Sequence, residues 1–300
     1  MTTWPDMLVA TNTCLLLVRG AAGDVQKVRE RDCYGITWDD KGHIYLASNY
    51  TAEREHIIIL DHALRRTGTI QLPSRRTHQI IWREGLIYAA LAEDNSIGRI
   101  TPAQGYMEID WHTGGAFVDG IARDHPNSVW FDSDGALAVV QHRQSTRTGR
   151  PSRVSILRAA GKCRLRETDS FAIGRNAHNV YHEDDCWYVC DSSGHALRRR
   201  YDKPSPVVGS QTAKIIGDSV DLGDFTRGLA RFPGGFVVGL SADTPRSKRA
   251  DGDASLVLLD DDLRIVDKLP LPTYGGVHDV RVLNVPDRAH HGIPMEISRC

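Results

Sequence analysis

Three histidines, His78, His178 and His278, stand 100 residues apart in a chain of 300. Each opens the same kind of triplet, a polar or ring-bearing residue, then a small or polar one, then Ile or Val: His78-Gln79-Ile80, His178-Asn179-Val180 and His278-Asp279-Val280. Midway between them stand three further triplets, Tyr34-Gly35-Ile36, Asn127-Ser128-Val129 and Arg227-Gly228-Leu229. Three neutral imidazoles converging on one point suit a divalent transition ion, zinc foremost, and leave its fourth position open for water or substrate. Imidazole also suits iron, manganese and copper, so the ligand set alone does not fix the ion. Asp279 projects to the opposite side of its strand from His278, where it would orient a histidine rather than ligate.

The intervening openers add complementary chemistry. Tyr34 beside a dication could ionise and move a proton, or donate a hydrogen bond. Arg227 has the forked geometry to clamp a carboxylate or an oxyanion, and Asn127 can bridge to a hydroxyl or amide.

The elements that must position these residues follow from the intervals between openers, which are 44, 49, 51, 49 and 51 residues. That is the period of a four-stranded propeller blade. Each opener starts a short strand that ends in a polar turn, as in Asp39-Asp40-Lys41-Gly42 and Asp132-Ser133-Asp134-Gly135, before a second β-branched strand. The expectation is an all-β, six-bladed β-propeller over residues 1–300 as a single domain, with a C-terminal tail from about 286. After His278 a single strand remains, while three precede Tyr34, at Met7–Thr11, Leu15–Arg19 and Val25–Arg29. Three plus one completes the sixth blade and removes the open sheet edges. Alternate blades lie a third of a turn apart, so His78, His178 and His278 would meet around the axis.

Loops between second and third strands open on the same face. They bring Asn49, Asp94, His142, Asp191, His195 and Ser241 as an outer shell, and residues 143–150 as a lid. His112, His125, His182, His290 and His291 follow no repeat and read as surface or supporting residues. A net charge of −1, without long blocks of like charge, gives no footprint for nucleic acid or an anionic membrane. The expected partner is a small molecule, one bearing a carboxylate if Arg227 clamps it. With no leader pattern and six cysteines lacking paired short spacings, the chain reads as cytoplasmic with reduced thiols. Cys186 and Cys190 sit on an apolar strand as small hydrophobes.

By cyclic order, Arg227, His278, Tyr34, His78, Asn127 and His178 resemble the site of the peptidyl-α-hydroxyglycine α-amidating lyase family, six-bladed propellers that hold zinc through three histidines of alternate blades. The resemblance covers the architecture and these six positions. It implies zinc on His78, His178 and His278, with a tyrosine and an arginine, Tyr34 and Arg227, taking part in catalysis. The blades are loosely similar to gluconolactonase-type propellers as well, whose metal is held by carboxylates and an amide; three histidine openers point away from that group. The leading expectation is a metal-dependent lyase or hydrolase acting on a small molecule. The alternatives are a non-haem iron or copper oxidase or oxygenase on the same ligands, and a non-catalytic propeller that binds a ligand or protein.

Overall fold

The computed structural model describes residues 3–51, 54–74, 76–115, 117–118, 121–122, 124–143, 145–160, 164–206, 213–216, 219–244 and 246–297. Six antiparallel sheets of four or five strands, each built from consecutive strands except the closing one, make the six blades. Their innermost strands are Cys33–Trp38, Thr77–Arg83, Pro126–Phe131, His178–Glu183, Phe225–Phe232 and Val277–Val282, each packed on the next around the ring. Inner strands such as Cys33–Trp38 and Val277–Val282 are buried along their whole length because neighbouring blades cover both faces. Outer strands such as Asp24–Glu30 face solvent over most of theirs.

The ring closes as the strand count predicts. Met7–Thr11 pairs with Val277–Val282 on one side and with Cys14–Arg19 on the other, in the register Met7↔Val282 and Val9↔Val280. Asp–Gly turns recur for the physical reason expected of them. Asp39 accepts from the backbone N–H of Lys41 and His43 while Gly42 takes φ 83°, and Asp132 accepts from Ala136 while Gly135 takes φ 82°. The fourth strand of the fifth blade starts later than its apolar run suggests, at Ile265, because Asp260 holds a turn through Asp262 and Arg264 with Leu263 at φ 63°.

Two features aim the openers. Every inner strand slips register at or just after its opener: in five of them a β-bulge takes the opener out of the ladder, whereas His178 stays paired with Cys190 and the bulged residue is Asn179, at φ 45°. The next residue ties neighbouring blades together. Gln79 Oε1 accepts from Val129 N, Ser128 Oγ from Asn179 N, Asn179 Oδ1 from Gly228 N, and Asp279 Oδ2 from Ile36 N, at 2.7–3.0 Å. At Gly35 the neighbouring strand approaches so closely that a Cβ would lie 2.6 Å from the His78 carbonyl oxygen, which is why glycine stands there. Asp279 therefore belongs to this belt and not to a histidine. It is fully buried and pairs at 3.1 Å with Arg281, which is buried beside it.

The C-terminal segment is part of the body. Asp287 is fully buried and accepts from the N–H of Val282 and Arg231, and Met295 and Ile297 pack with Leu8, Leu15 and Leu283. Among the described residues no helix is long and apolar enough to cross a membrane.

Candidate functional site

The three histidine openers are all buried at the same end of the ring, and each imidazole has a defined partner. His178 Nδ1 lies 2.7 Å from Ser192 Oγ, and that hydroxyl donates to the Thr226 carbonyl at 2.6 Å. A hydroxyl that spends its hydrogen on a carbonyl can only accept from the ring, so His178 carries its proton on Nδ1 and its lone pair on Nε2. His278 has the same tautomer, because Nδ1 lies 2.8 Å from the Cys33 carbonyl, which can only accept. His78 is reversed. Arg227 Nη2 donates to His78 Nδ1 at 2.9 Å, which leaves the ring hydrogen on Nε2, a buried atom without a hydrogen-bond partner.

Burial holds His78 and His178 well below the usual histidine range, and the positive Arg227 lowers both further. Both imidazoles are therefore neutral at physiological pH. Tyr34 stacks on His278 with ring centres 4.5 Å apart and tilts against His78 at 5.3 Å. Burial pushes its phenol up, and the negative Asp32, to which the hydroxyl donates, pushes it further. Tyr34 thus stands as a protonated donor and not as a base. Asn127 spends its amide inside the framework, donating from Nδ2 to the Ala177 carbonyl and accepting from Ser128.

A second ring of residues lies against the first. His125 packs on His78 with centres 5.1 Å apart, and the imidazoles continue through His142 to His178 at 5.4 Å each. Phe225 packs on His178 at 5.8 Å, and Asp32 Oδ1 lies 3.7 Å from His278 Nδ1. Arg76 is near enough to Tyr34 and His78 to act on both electrostatically. Asp32, Arg76, His125 and Phe225 each stand two residues before an opener and meet the opener of the preceding blade. Sequence reasoning missed them, although the same repeat shifted by two positions would have found them. His125, His142 and Arg76 are half-buried and form the accessible side of the site.

Of the expected outer shell, His142 alone joins the imidazole chain through ring contacts. Asp191 is buried in an ion pair with Arg198 and caps the turn at Gly194, and Ser241 accepts from Val277 N. His195 faces Asp243 at 3.7 Å, Asp94 stands in a turn that bonds back to Leu91, and the side chain of Asn49 lies outside the described residues. The expected lid carries one helical turn, Ser145–Thr148, with residue 144 outside the described residues. Cys14, Cys33, Cys186 and Cys190 are free and buried, as small hydrophobes should be, and burial pushes the thiols of Cys33 and Cys190 up; Cys163 and Cys300 lie outside the described residues.

Among the described residues, no group of three His, Cys, Asp or Glu side chains is arranged to hold a metal ion. At the openers, His78 Nδ1 takes a hydrogen from Arg227, so that in this arrangement its Nε2 carries the ring hydrogen and offers no lone pair to a shared ion. The arrangement can accept a proton at His178 or His278 and hold negative charge near Arg227.

No protein-family model and no curated protein matches the sequence. Solved structures match the fold over most of the chain. One is described as a nidogen/laminin complex, at 10% identity and TM-score 0.65, covering 92% of this chain and 97% of the other. A Lactobacillus plantarum protein matches at 12% identity and TM-score 0.58 over 94% and 100%. A candidate gluconolactonase, from the group that the histidine openers pointed away from, matches at 15% identity and TM-score 0.55 over 82% and 80%. At these identities the likeness is one of fold.

Proposed function

We propose that the protein is a hydrolase or lyase acting on a small carboxylate-bearing molecule at the opener end of the axis. One observation carries this reading: the Ser192–Thr226 relay fixes a buried neutral imidazole, His178, with its lone pair on Nε2 close to a buried arginine. An imidazole kept neutral at pH 7 has its Nε2 lone pair available to take a proton, as a weaker base than a solvent-exposed histidine because burial and Arg227 disfavour its cation. In hydrolysis it takes a proton from the water that attacks the ester carbonyl and returns it to the alkoxide that leaves as the acyl–oxygen bond breaks; in elimination it takes the proton from the carbon next to the substrate carboxylate as the β-substituent leaves with its bonding electrons. Arg227 holds the carboxylate or the oxyanion that forms, while Arg76 at the entrance is paired with Glu93 at 3.2 Å. Tyr34 supports the His278 ring by stacking, and His78 keeps Arg227 in place. The hydrolase side of the reading is in keeping with a fold that a candidate gluconolactonase shares, although the same fold serves a nidogen/laminin complex, and the site's residues bear the weight.

The test is a panel of lactones, hydroxy-acid esters and β-substituted carboxylates assayed by product formation with wild type, His178→Gln and Arg227→Lys. His178→Gln should lower turnover on the active substrate by about a hundredfold to ten-thousandfold. Arg227→Lys should chiefly raise KM, since a point charge does not replace a fork. Full turnover by His178→Gln would overturn the assignment.

A second reading keeps a divalent metal, zinc before iron, manganese or copper, on His78, His178 and His278. It is favoured by the tautomer of His178 and His278, both of which carry the Nε2 lone pair that a ligand needs. It requires Arg227 to leave His78 Nδ1, so the tautomer of His78 separates the two readings.

A further inference from the structure

The far ends of the inner strands line an open cavity of about 560 Å³ that has no part in the histidine site. Its walls include Trp82, Trp130, Phe131 and Tyr181, from three successive blades, and the C-terminal segment around His290 forms a further side. The volume lies within the range of small-molecule sites, and such sites combine mostly apolar walls with a few placed polar groups.

His290 supplies the polar group. It is buried, with 1% of its surface exposed, and Nε2 lies 2.6 Å from Thr37 Oγ1. The Thr37 oxygen already accepts the backbone N–H of Trp82 at 2.8 Å, so its own hydrogen is free to go to His290 Nε2. This places the imidazole hydrogen on Nδ1, and that atom has no hydrogen-bond partner although it is buried in a residue lining the cavity. A buried donor left unpaired beside an aromatic-walled space is what a ligand's acceptor would complete. The nearby charges are already matched, Arg288 with Glu183 and Arg83 with Glu84, and Arg83 also lies over the Phe131 ring at 4.6 Å. The ligand's attraction is therefore stacking and one hydrogen bond, without a demand for net charge.

We propose that this cavity binds a planar aromatic molecule of about two fused rings bearing a carbonyl-type acceptor, which receives the hydrogen bond from His290 Nδ1. The experiment is isothermal titration calorimetry of the full chain with 2-naphthamide and with 2-methylnaphthalene, which has the rings and lacks the acceptor. Wild type should bind 2-naphthamide with a Kd of about 0.1 mM and 2-methylnaphthalene at least about tenfold more weakly. His290→Phe should remove that preference. Ser133→Trp, which places a large ring at the exposed lip and disturbs no buried contact, should block both ligands. Equal affinity for the two probes in wild type, no binding of 2-naphthamide near 1 mM, or unchanged binding by Ser133→Trp would each overturn the proposal.

Discussion

The two ends of the ring bury neutral histidines for different ends and by different means. At the opener end, a β-bulge at the opener or the residue after it marks each inner strand, and Arg227 leaves that end with a positive charge beside neutral bases. At the far end a single non-repeating segment supplies His290 and His291, with charges matched and aromatic walls around them. Between the ends runs the belt of blade-to-blade hydrogen bonds, with Asp279, Arg281 and Asp287 buried in it. A repeat can thus place a ring of like positions around an axis, but it takes a terminal segment to make the two ends unlike.

The largest effect should come from breaking the frame that both ends share. Deleting residues 1–20 removes Met7–Thr11 and Cys14–Arg19, leaving Val277–Val282 without a partner strand in its own blade. The expected outcome is loss of the cooperative melt by circular dichroism, with both ends lost together. A soluble deletion variant with a wild-type melt would show that the ring closes otherwise.

Next in size is a cut in the belt. Asp279→Ala leaves Arg281 buried beside a missing charge and strips the Ile36 N–H of its acceptor, which should cost about 3–5 kcal/mol in urea unfolding. His112→Ala, on the exposed surface, should stay within about 0.5 kcal/mol and serves as the reference. A loss below about 1 kcal/mol at Asp279 would mean the belt does not carry the frame.

Acid should weaken both ends. Burial holds His78, His178 and His290 well below 6.5 and His291 at about 4, so the folded state keeps them neutral while the unfolded chain takes up protons below pH 6.5. Stability from these groups is present above pH 6.5 and is lost as pH falls. Asp279 and Asp287 act in the opposite sense: burial raises both to about 6 against the pull of Arg281, so their contribution is present at low pH and lost as pH rises through 6. Four imidazoles outweigh two carboxyls, and unfolding near pH 5 should take up about two net protons, a slope of about 2–3 kcal/mol per pH unit. A stability that is flat or rises between pH 6.5 and 5 would contradict neutral burial of the histidines.

What was legible in the chain divides along the same line. Blade count, closure and openers could be read because each rests on a residue pattern recurring at a nearly fixed interval, as His78, His178 and His278 do. Partner choice could not be read. That Asn127 would spend its amide on Ala177, that Asp279 would pair with Arg281, and that Arg227 would reverse the His78 tautomer depend on where neighbouring blades pack, which no single segment encodes. His125 was passed over because its repeat runs two positions ahead of the openers. His290 was passed over because it belongs to no repeat at all.

The most direct test of the opener-end account is a long-range proton–nitrogen NMR correlation of the imidazole rings at pH 7, before and after adding one equivalent of zinc. The account predicts His178 and His278 protonated on Nδ1 and His78 protonated on Nε2, with that pattern unchanged by zinc. All three rings protonated on Nδ1, with their Nε2 signals shifting together on zinc addition, would contradict it and establish the three-histidine metal site instead.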